Sequence, residues 1–394
     1  MRKNLFLVSG VILLTLLAFF LFFSEHPVKK SRQHGKGPLL RVRISRDAAS
    51  GKFYSPAPCD ITNPLTGEIL KRKVSFPESS GIKVFSGKIV IGKESFRDKN
   101  IRLSPGTGGG FFFDGVEYRG ELDILVSGEV FSAINRVQME DYLKGVVPRE
   151  VHGFWPMSAL KAQAVASRSY AAFEAARRKN LPYDLTSDTY TQVYGGKSAE
   201  RSRTTKAVTL TSGEVLKYDG KVIPGYFHSS CGGHTTTISS VWNGRDMEPF
   251  MGVRSRSCRW SPSFRWRARI PTGEILEKLR RYGYGFDRID YMRPGKVDGS
   301  GRVEYVRIKS GNRWFEVPIK DFTSSIGRST LKSSNFRIRK YPLFYDFDGY
   351  GWGHGVGMCQ WCSFGMALRG WDYLKILGFF YPGATVSQLG RSIQ

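Results

Sequence analysis

The stretch GVVPREVHGFWPMSALKAQAVASRSYA, residues 145–171, contains one glutamate, Glu150, between a Val-Val-Pro run and an alanine-rich segment. The Val-Val-Pro run predicts extended chain, whereas residues 156–179 predict a helix, because small residues recur on one face. An acid just before a helix needs no special explanation, since the helix dipole favours it. Phe154 and Trp155 favour a second interpretation, in which a shielded carboxyl group has a raised pKa and serves acid–base chemistry.

The composition limits the classes of partner. The chain has 394 residues, 41% of them hydrophobic, which allows two or three domains or one domain with insertions. Its 60 Lys and Arg residues against 34 Asp and Glu residues give a formal net charge of +26. Such a surface attracts polyanions, and the N-terminus favours cell-wall or membrane polyanions over nucleic acid.

The N-terminus carries an apolar run from Leu5 to Phe23, preceded by Arg2 and Lys3. This run exceeds a usual signal-peptide core and ends without a small-residue cleavage pattern. We therefore predict an uncleaved membrane anchor over residues 1–24, with a cleaved signal peptide as the alternative. A single N-terminal span normally serves export, so the bulk of the protein is predicted to be membrane-anchored on the extracytoplasmic side.

The remaining chain divides by pattern. A basic linker is predicted at 25–37, a β-rich N-terminal module at 38–135, a catalytic core at 136–259, an inserted or second lobe at 260–345, and a C-terminal helical part at 346–394. Within these segments we predict a hairpin around Asp219-Gly220 and a short helix over 271–283. The predicted fold class is α+β, a β-rich exported domain in which a few core helices carry the active-site cleft.

The segment FHSSCGGHTT places His228, Cys231 and His234 at H-x2-C-x2-H spacing, and Cys258 follows 27 residues after Cys231. Two imidazoles and two thiolates would complete a tetrahedral zinc site. Two alternatives remain open at this stage: a glycine-rich turn with a buried thiol and polar histidines, and a disulfide between Cys231 and Cys258.

The segment GWGHGVGMCQWC, residues 351–362, is a second candidate. His354 lies among four glycines, and Cys359 and Cys362 have C-x2-C spacing. Because no second C-x2-C pair exists, a local disulfide or two buried thiols are favoured over zinc. The sequence also lacks G-x4-G-K-[ST], G-x-S-x-G and H-E-x-x-H, so ATP hydrolysis, serine acyl transfer and thermolysin-like proteolysis lack their usual motifs.

Several ordered motifs together resemble the SpoIID/LytB family, the sporulation stage II protein D group. They are RVRIS (41–45), MEDYLKGVVPREVHGFWPMSALKAQAVASRSYA (139–171), QVYGG (192–196), FHSSCGGHT (227–235) and GWGHGVGMCQWCS (351–363). The resemblance covers roughly residues 40–390. It implies a peptidoglycan lytic transglycosylase that cleaves MurNAc-GlcNAc bonds of peptide-stripped glycan strands to 1,6-anhydro products. It also implies that Glu150 is the single catalytic acid/base.

The resemblance assigns further residues to the substrate, with core packing as the alternative for each. These residues are Lys161, Gln163, Arg168, Tyr170, Gln192, Tyr194, His354 and Gln360. Arg168 or Lys161 would orient Glu150 or hold the lactyl carboxylate. The family also supports a structural zinc at the four residues His228, Cys231, His234 and Cys258. The chain has MCQWCS where the family usually has MSQYGA, so Trp361 is expected to narrow or redirect the cleft.

Two other functions are consistent with the same sequence. The LytB branch of the family is described as enhancing a wall amidase, so a non-catalytic enhancer is one alternative. A wall-binding module held by its positive charge is the other, and its binding would collapse with salt. The predicted partners are therefore peptidoglycan glycan strands, the membrane and a wall amidase, without nucleic acid.

Overall fold

The computed structural model describes residues 37–390 except positions 79, 107, 108, 189 and 243. Within these residues the fold is mixed α+β and rich in strands, in agreement with the predicted class. No helix among them is both long and apolar enough to cross a bilayer. The predicted anchor and almost all of the predicted linker lie outside the described residues.

Two sheets occupy the chain before the first described helix. Their strands are β1 (Leu39–Ala48), β2 (Ser50–Tyr54), β3 (Cys59–Thr62), β4 (Ile69–Val74), β5 (Ser80–Phe85), β6 (Lys88–Ile91), β7 (Glu94–Phe96), β8 (Asn100–Pro105), β9 (Gly110–Phe113), β10 (Val116–Arg119), β11 (Glu121–Ser127) and β12 (Val130–Gln138), with the later β13 (Leu185–Thr186) added at one edge. The sheet orders are β13-β1-β12-β11-β8-β3-β4 and β10-β9-β2-β5-β6-β7. Burial alternates along strands such as β5, which is the period expected where one sheet face covers a core.

Three helices follow, namely α1 (Met139–Glu150), α2 (Met157–Arg177) and α3 (Ser202–Leu210). The helix predicted over 156–179 is confirmed as α2. The extended conformation predicted for the Val-Val-Pro run at 146–148 is wrong, because these residues belong to α1. The reason is hydrophobic spacing: the buried residues of α1 are Met139, Tyr142, Leu143, Gly145, Val146 and Val147, which recur on one helical face.

The second half of the chain consists of short sheets and four more described helices. The strands are β14 (Glu214–Tyr218), β15 (Lys221–Val222), β16 (Phe227–His228), β17 (Arg265–Pro271), β18 (Tyr291–Pro294), β19 (Tyr305–Ser310), β20 (Arg313–Pro318), β21 (Phe336–Lys340), β22 (Phe344–Tyr350), β23 (Met358–Cys359) and β24 (Thr385–Gln388). The helices are α4 (Thr272–Arg281), α5 (Ile319–Ile326), α6 (Gln360–Ala367) and α7 (Tyr373–Phe380). The predicted hairpin at 219–220 and the predicted helix at 271–283 are confirmed as the β14–β15 turn and α4.

The described residues bury three hydrophobic cores. One lies between the N-terminal sheets and α1, a second surrounds α6 and α7, and a third fills the segment from Trp266 to Phe347. Helix α2 contributes to the first two, with Leu160 in one and Val165 in the other. It therefore joins the N-terminal part of the chain to the C-terminal motif. The predicted domain boundaries themselves stay a prediction.

A parallel pair of very short strands, β16 and β23, brings two distant motifs side by side. Phe227 pairs with Met358 and His228 pairs with Cys359. This pairing places the FHSSCGGHTT segment against the GWGHGVGMCQWC segment, although about 130 residues separate them in sequence. The residues that the sequence marked separately thus lie in one region of the fold.

Candidate functional site

Glu150 is the last residue of α1 and is half-buried. Its Oε1 atom accepts a hydrogen bond from the backbone N–H of Val193 at 3.2 Å. Burial raises the pKa of the Glu150 carboxyl group, and hydrogen bonds from Val193 and from the side chain of Gln360 oppose that rise only in part. The negative end of the α1 dipole also disfavours the ionised form, the opposite of the effect expected had Glu150 preceded a helix. This carboxyl group is suited to hold a proton.

The loop after Glu150 presents its aromatic residues in two directions. Phe154 is 73% exposed and its ring stacks on His152 at 5.2 Å between centroids. Trp155 is buried and packs against Trp361 and Phe364, with centroids 5.2 and 5.1 Å away. Trp361 therefore packs the C-terminal motif, in which it is the unusual residue, against the loop that follows Glu150.

Two glutamines connect Glu150 to α2. The side-chain amide of Gln360 acts on the Glu150 carboxyl group, whose pKa it lowers, and donates from Nε2 to Oε1 of Gln163 at 3.3 Å. Gln163 in turn donates from Nε2 to the Ser167 hydroxyl at 3.0 Å. Both glutamines are buried. The structure thus brings together three of the predicted site residues from α1, α2 and α6.

The two cations predicted to serve Glu150 have other partners. The Arg168 side chain is completely buried and forms a bidentate ion pair with Glu140, both N–O distances being 2.8 Å. Its third nitrogen donates to the Glu214 carbonyl oxygen. Arg168 therefore ties α1 and β14 to α2 and cannot reach a glycan. Lys161, on the same helix, lies over the ring of Tyr373, with its Nζ 5.4 Å from the centroid.

The QVYGG segment packs against α1 and contacts Glu150 through its backbone. Gln192 and Tyr194 are buried, whereas Val193 between them supplies the N–H that Glu150 accepts. The Tyr194 hydroxyl donates to Oδ1 of Asn135 at 3.0 Å, and its ring lies 4.9 Å from that of Tyr142 on α1. Tyr142 donates to the Gln192 side-chain oxygen. These contacts are packing within the core and leave neither side chain open to a sugar.

Tyr170 and His354 lie on the other side of α2. Tyr170 packs near Tyr226, with ring centroids 6.1 Å apart. His354 accepts at Nδ1 from the Val356 N–H and so donates from Nε2 to the Phe227 carbonyl oxygen at 2.8 Å. Burial lowers the pKa of His354 to about 4, so the imidazole is neutral at physiological pH. His354 therefore connects β16 to the glycine-rich loop through hydrogen bonds.

Four cysteines form a cluster beneath this region. Cys231, Cys258, Cys359 and Cys362 are buried, and their Sγ atoms all lie within 4.8 Å of one another. The Sγ atom of Cys231 is 3.5 Å from that of Cys258 and 3.7 Å from that of Cys362. All four are free thiols, as is the remote Cys59 on β3. Such a donor set is compatible with a structural metal ion.

The cluster shares only Cys231 and Cys258 with the four ligands predicted from the sequence. His228 bonds the Val356 carbonyl oxygen through Nδ1, and His234 bonds that of Thr235. Cys359 and Cys362, which the sequence interpretation set aside for want of a second C-x2-C pair, take the places assigned to the histidines. Their spacing was the available signal, and the pairing of β16 with β23 supplies what the spacing could not.

Comparison with known proteins identifies related families and relatives. Residues 127–218 match the SpoIID family, described as stage II sporulation protein, and residues 240–357 match a domain of unknown function, DUF8618. An uncharacterized protein of Brachyspira hyodysenteriae is 34% identical over 283 residues, covering 72% of this chain and 75% of the relative. The amidase enhancer of Bacillus subtilis is 28% identical over 89% of this chain, which spans 56% of that relative's length.

The stage II sporulation protein D of Bacillus amyloliquefaciens is 27% identical over 277 residues, covering 65% of this chain and 76% of the relative. The SpoIID match spans α1, α2 and α3, and thus Glu150 and Val193, whereas Gln360 lies outside the matched residues. The chain belongs to the SpoIID/LytB-like family.

Proposed function

We propose that the chain is a peptidoglycan lytic transglycosylase in which Glu150 is the single acid/base. The observation that carries the proposal is a carboxyl group whose pKa is raised by burial and whose hydrogen-bonding neighbours, Val193 and Gln360, are neutral. Glycoside hydrolases of either stereochemistry typically need two carboxyl groups, whereas attack by a hydroxyl group of the same sugar needs one. We assign that single role to Glu150.

The reaction follows from one proton moving out and back. Protonated Glu150 donates its proton to the glycosidic oxygen, and the bond between that oxygen and C1 of the N-acetylmuramic acid breaks. The C6 hydroxyl oxygen of the same sugar then bonds to C1, and its proton returns to Glu150. The products are a 1,6-anhydro-N-acetylmuramic end and a free N-acetylglucosamine end. No water enters, so no second carboxylate has to position one.

The other residues have supporting roles in this proposal. Gln360 and the Val193 N–H stabilise the carboxylate that exists between the two proton transfers. Lys161 is the cation we assign to the lactyl carboxylate, since Arg168 is buried against Glu140. The family membership supports a peptidoglycan substrate, and the positive charge supports attraction to anionic wall polymers. We further propose peptide-stripped strands as the preferred substrate, and a cell-envelope location reached through the N-terminal segment.

A second function is favoured by one specific comparison. The relative that aligns over 89% of this chain is named an amidase enhancer. A non-catalytic protein of that kind would bind glycan and a wall amidase without cleaving the strand itself. Glu150 would then be dispensable for its effect.

Product analysis separates the two functions. The full-length protein is incubated with peptide-stripped glycan, and the products are identified by mass. We expect anhydro ends from the wild type and a loss of at least about 100-fold for Glu150→Gln, the usual scale for removing a general acid. Glu129→Gln, at an exposed turn, is the matched control and keeps full activity. Reducing ends would indicate hydrolysis, and unchanged turnover in Glu150→Gln would eliminate the acid/base role.

A further inference from the structure

We propose that Cys231, Cys258, Cys359 and Cys362 together hold one zinc ion through four thiolates. With Zn–S bonds of about 2.3 Å, the edges of a tetrahedral site are about 3.8 Å long. The two shortest Sγ–Sγ separations from Cys231, at 3.5 and 3.7 Å, are close to that value, and all the Sγ atoms lie within 4.8 Å of one another. The four side chains come from three separate chain segments and converge on one point.

Backbone amides around the cluster are arranged as they are around thiolate ligands. The N–H groups of Cys231 and Cys362 both donate to Sγ of Cys359, at 3.2 and 3.3 Å. The N–H of Gly233 donates to Sγ of Cys231 at 3.4 Å. Cys359 also caps the N-terminus of α6, where the helix dipole favours negative charge. Such donors are of little use to neutral sulfur but stabilise thiolate.

Arg302 is the independent observation that the cluster carries negative charge. It is only 1% exposed, and its guanidinium donates to the carbonyl oxygens of Cys231 and Gly353, each at 3.3 Å. Its Nε atom has no hydrogen-bond partner, and Asp298, whose carboxylate acts on the Arg302 charge, accepts from the Arg302 backbone N–H and forms no ion pair with the guanidinium. A buried cation without an anion in direct contact is unfavourable. A zinc ion with four thiolates has a net negative charge and adds an anion beside the guanidinium.

The two other states of the cluster supply Arg302 with no further anion. Four protonated thiols are neutral, and so are two disulfides. In either state the amide donors would also point at uncharged sulfur. Thiolate ligands suit zinc or iron. Four protein ligands in a tetrahedral set are the usual arrangement of a structural zinc site.

The zinc would join three parts of the wall beside Glu150. Cys231 follows β16, Cys258 lies in the turn Ser257–Trp260, and Cys359 and Cys362 enclose Gln360. Because Gln360 bonds Gln163 and interacts with Glu150, the metal would fix the position of the amide next to the carboxyl group. Only this last link rests on the proposed function; the zinc site does not.

Metal content tests the proposal without any assay of turnover. The full-length protein, purified without chelators, is expected to contain one zinc ion per chain by mass spectrometry of the elements. Cys359→Ser and Cys258→Ser should each lower zinc occupancy by at least about 10-fold, the scale expected for losing a metal ligand. Cys59→Ser removes a buried cysteine outside the cluster and is the matched control with full occupancy.

X-ray absorption at the zinc edge of the wild type decides the ligand set even if the cysteine variants fail to fold. We expect four sulfur neighbours at about 2.3 Å. A shell containing imidazole nitrogen would overturn the four-cysteine assignment in favour of His228 or His234. Wild-type protein without metal, with iron in place of zinc, or with two disulfides found by alkylation under non-reducing conditions would overturn the proposal itself.

Discussion

The two ends of α1 each carry a glutamate, and the two glutamates have different partners. At the first turn, Glu140 accepts two hydrogen bonds from the buried Arg168, one from Nε and one from a terminal nitrogen, and a third from the Gly213 N–H. At the last turn, Glu150 accepts one backbone N–H and interacts with the amide of Gln360, and it forms no ion pair with a cation of the described residues. The same residue type, ten positions apart on one helix, has a buried arginine as its partner at one end and neutral neighbours at the other.

This difference shows how the fold prepares a proton donor. A partly buried carboxylate with a guanidinium partner stays ionised, because the pair offsets the loss of hydration. A partly buried carboxyl group with neutral donors favours its protonated form. The buried Arg168 pairs with Glu140 and not with Glu150. The Glu150 carboxyl group is therefore available for chemistry.

The largest loss of stability is expected from breaking the ion pair between Arg168 and Glu140 at the first turn of α1. Arg168→Met leaves Glu140 without its guanidinium and should lower the free energy of unfolding by about 3–5 kcal/mol, the scale for losing one partner of a buried ion pair. Urea unfolding monitored by circular dichroism measures the loss. The double variant Arg168→Met/Glu140→Gln should recover part of it, since no uncompensated charge then remains.

Arg177→Met is the matched control for that prediction. Arg177 also pairs with a glutamate on α2, but its side chain is 57% exposed and its partner Glu174 keeps a second arginine, Arg178. We expect a cost of at most about 1 kcal/mol. Equal losses at Arg168 and Arg177 would show that burial of the Arg168–Glu140 pair adds nothing to the cost of breaking it.

The sequence predicted α2 almost to its ends but not the helical state of the segment before Glu150. Alanine-rich spacing and Pro156 were sufficient for α2. In α1, two β-branched valines and Pro148 suggested extended chain, and the burial of Tyr142, Leu143, Val146 and Val147 on one face overrode that preference. Recognising this spacing would have placed Glu150 at a helix end.

Partner choice was the part that local sequence could not reveal. Seven-residue spacing put Lys161 and Arg168 on one face of α2, but only the packing of α1 against α2 decides that Arg168 meets Glu140 and not Glu150. The thiol cluster is similar, since Cys231 and Cys359 meet through the pairing of β16 with β23. Both contacts join residues distant in sequence, and no local pattern encodes them.

The next largest effect is a gain in stability when Glu150, at the last turn of α1, is replaced by glutamine. Burial raises the folded pKa of Glu150 above the ordinary value of 4.5, so the stability linked to its proton is complete below that pH and is lost as pH rises through the folded pKa. Glu150→Gln has no carboxyl group at this position and so avoids this loss. Its free energy of unfolding at pH 7 should therefore exceed that of the wild type by about 0.5–2 kcal/mol.

The pH profile of that gain is its check. Urea unfolding of both proteins is measured from pH 4 to pH 8. The difference should vanish near pH 4 and grow above 4.5, whereas Glu129→Gln should match the wild type throughout. A variant no more stable than the wild type at pH 7 would mean that the ionised form of Glu150 is not disfavoured.

A smaller effect is expected at Tyr194, whose ring packs against Tyr142 in the middle of α1. Tyr194→Phe removes the hydroxyl that bonds Asn135 and should cost about 1 kcal/mol of unfolding free energy. The KM for stripped glycan should stay unchanged, because the Tyr194 side chain is buried. A raised KM with unchanged stability would restore the sugar-contacting role that the sequence suggested.

The smallest change in stability is expected at Phe154, on the exposed side of the Glu150 loop. Phe154→Ala should alter the free energy of unfolding by less than about 0.5 kcal/mol, as for other surface positions. Under the proposed function, the exposed ring is a surface for a sugar face, so KM should rise several-fold while kcat is retained. Steady-state kinetics on stripped glycan measures both.

Phe85→Ala is the control, since Phe85 lies on β5 and is 64% exposed. Loss of one exposed phenylalanine is common to both variants, so a KM effect confined to Phe154 can only come from its position beside Glu150. An equal effect in both would point to general adhesion of the glycan. A change confined to stability would make the stack of Phe154 on His152 part of the fold, and the end of α1 would then lack an aromatic contact for the substrate.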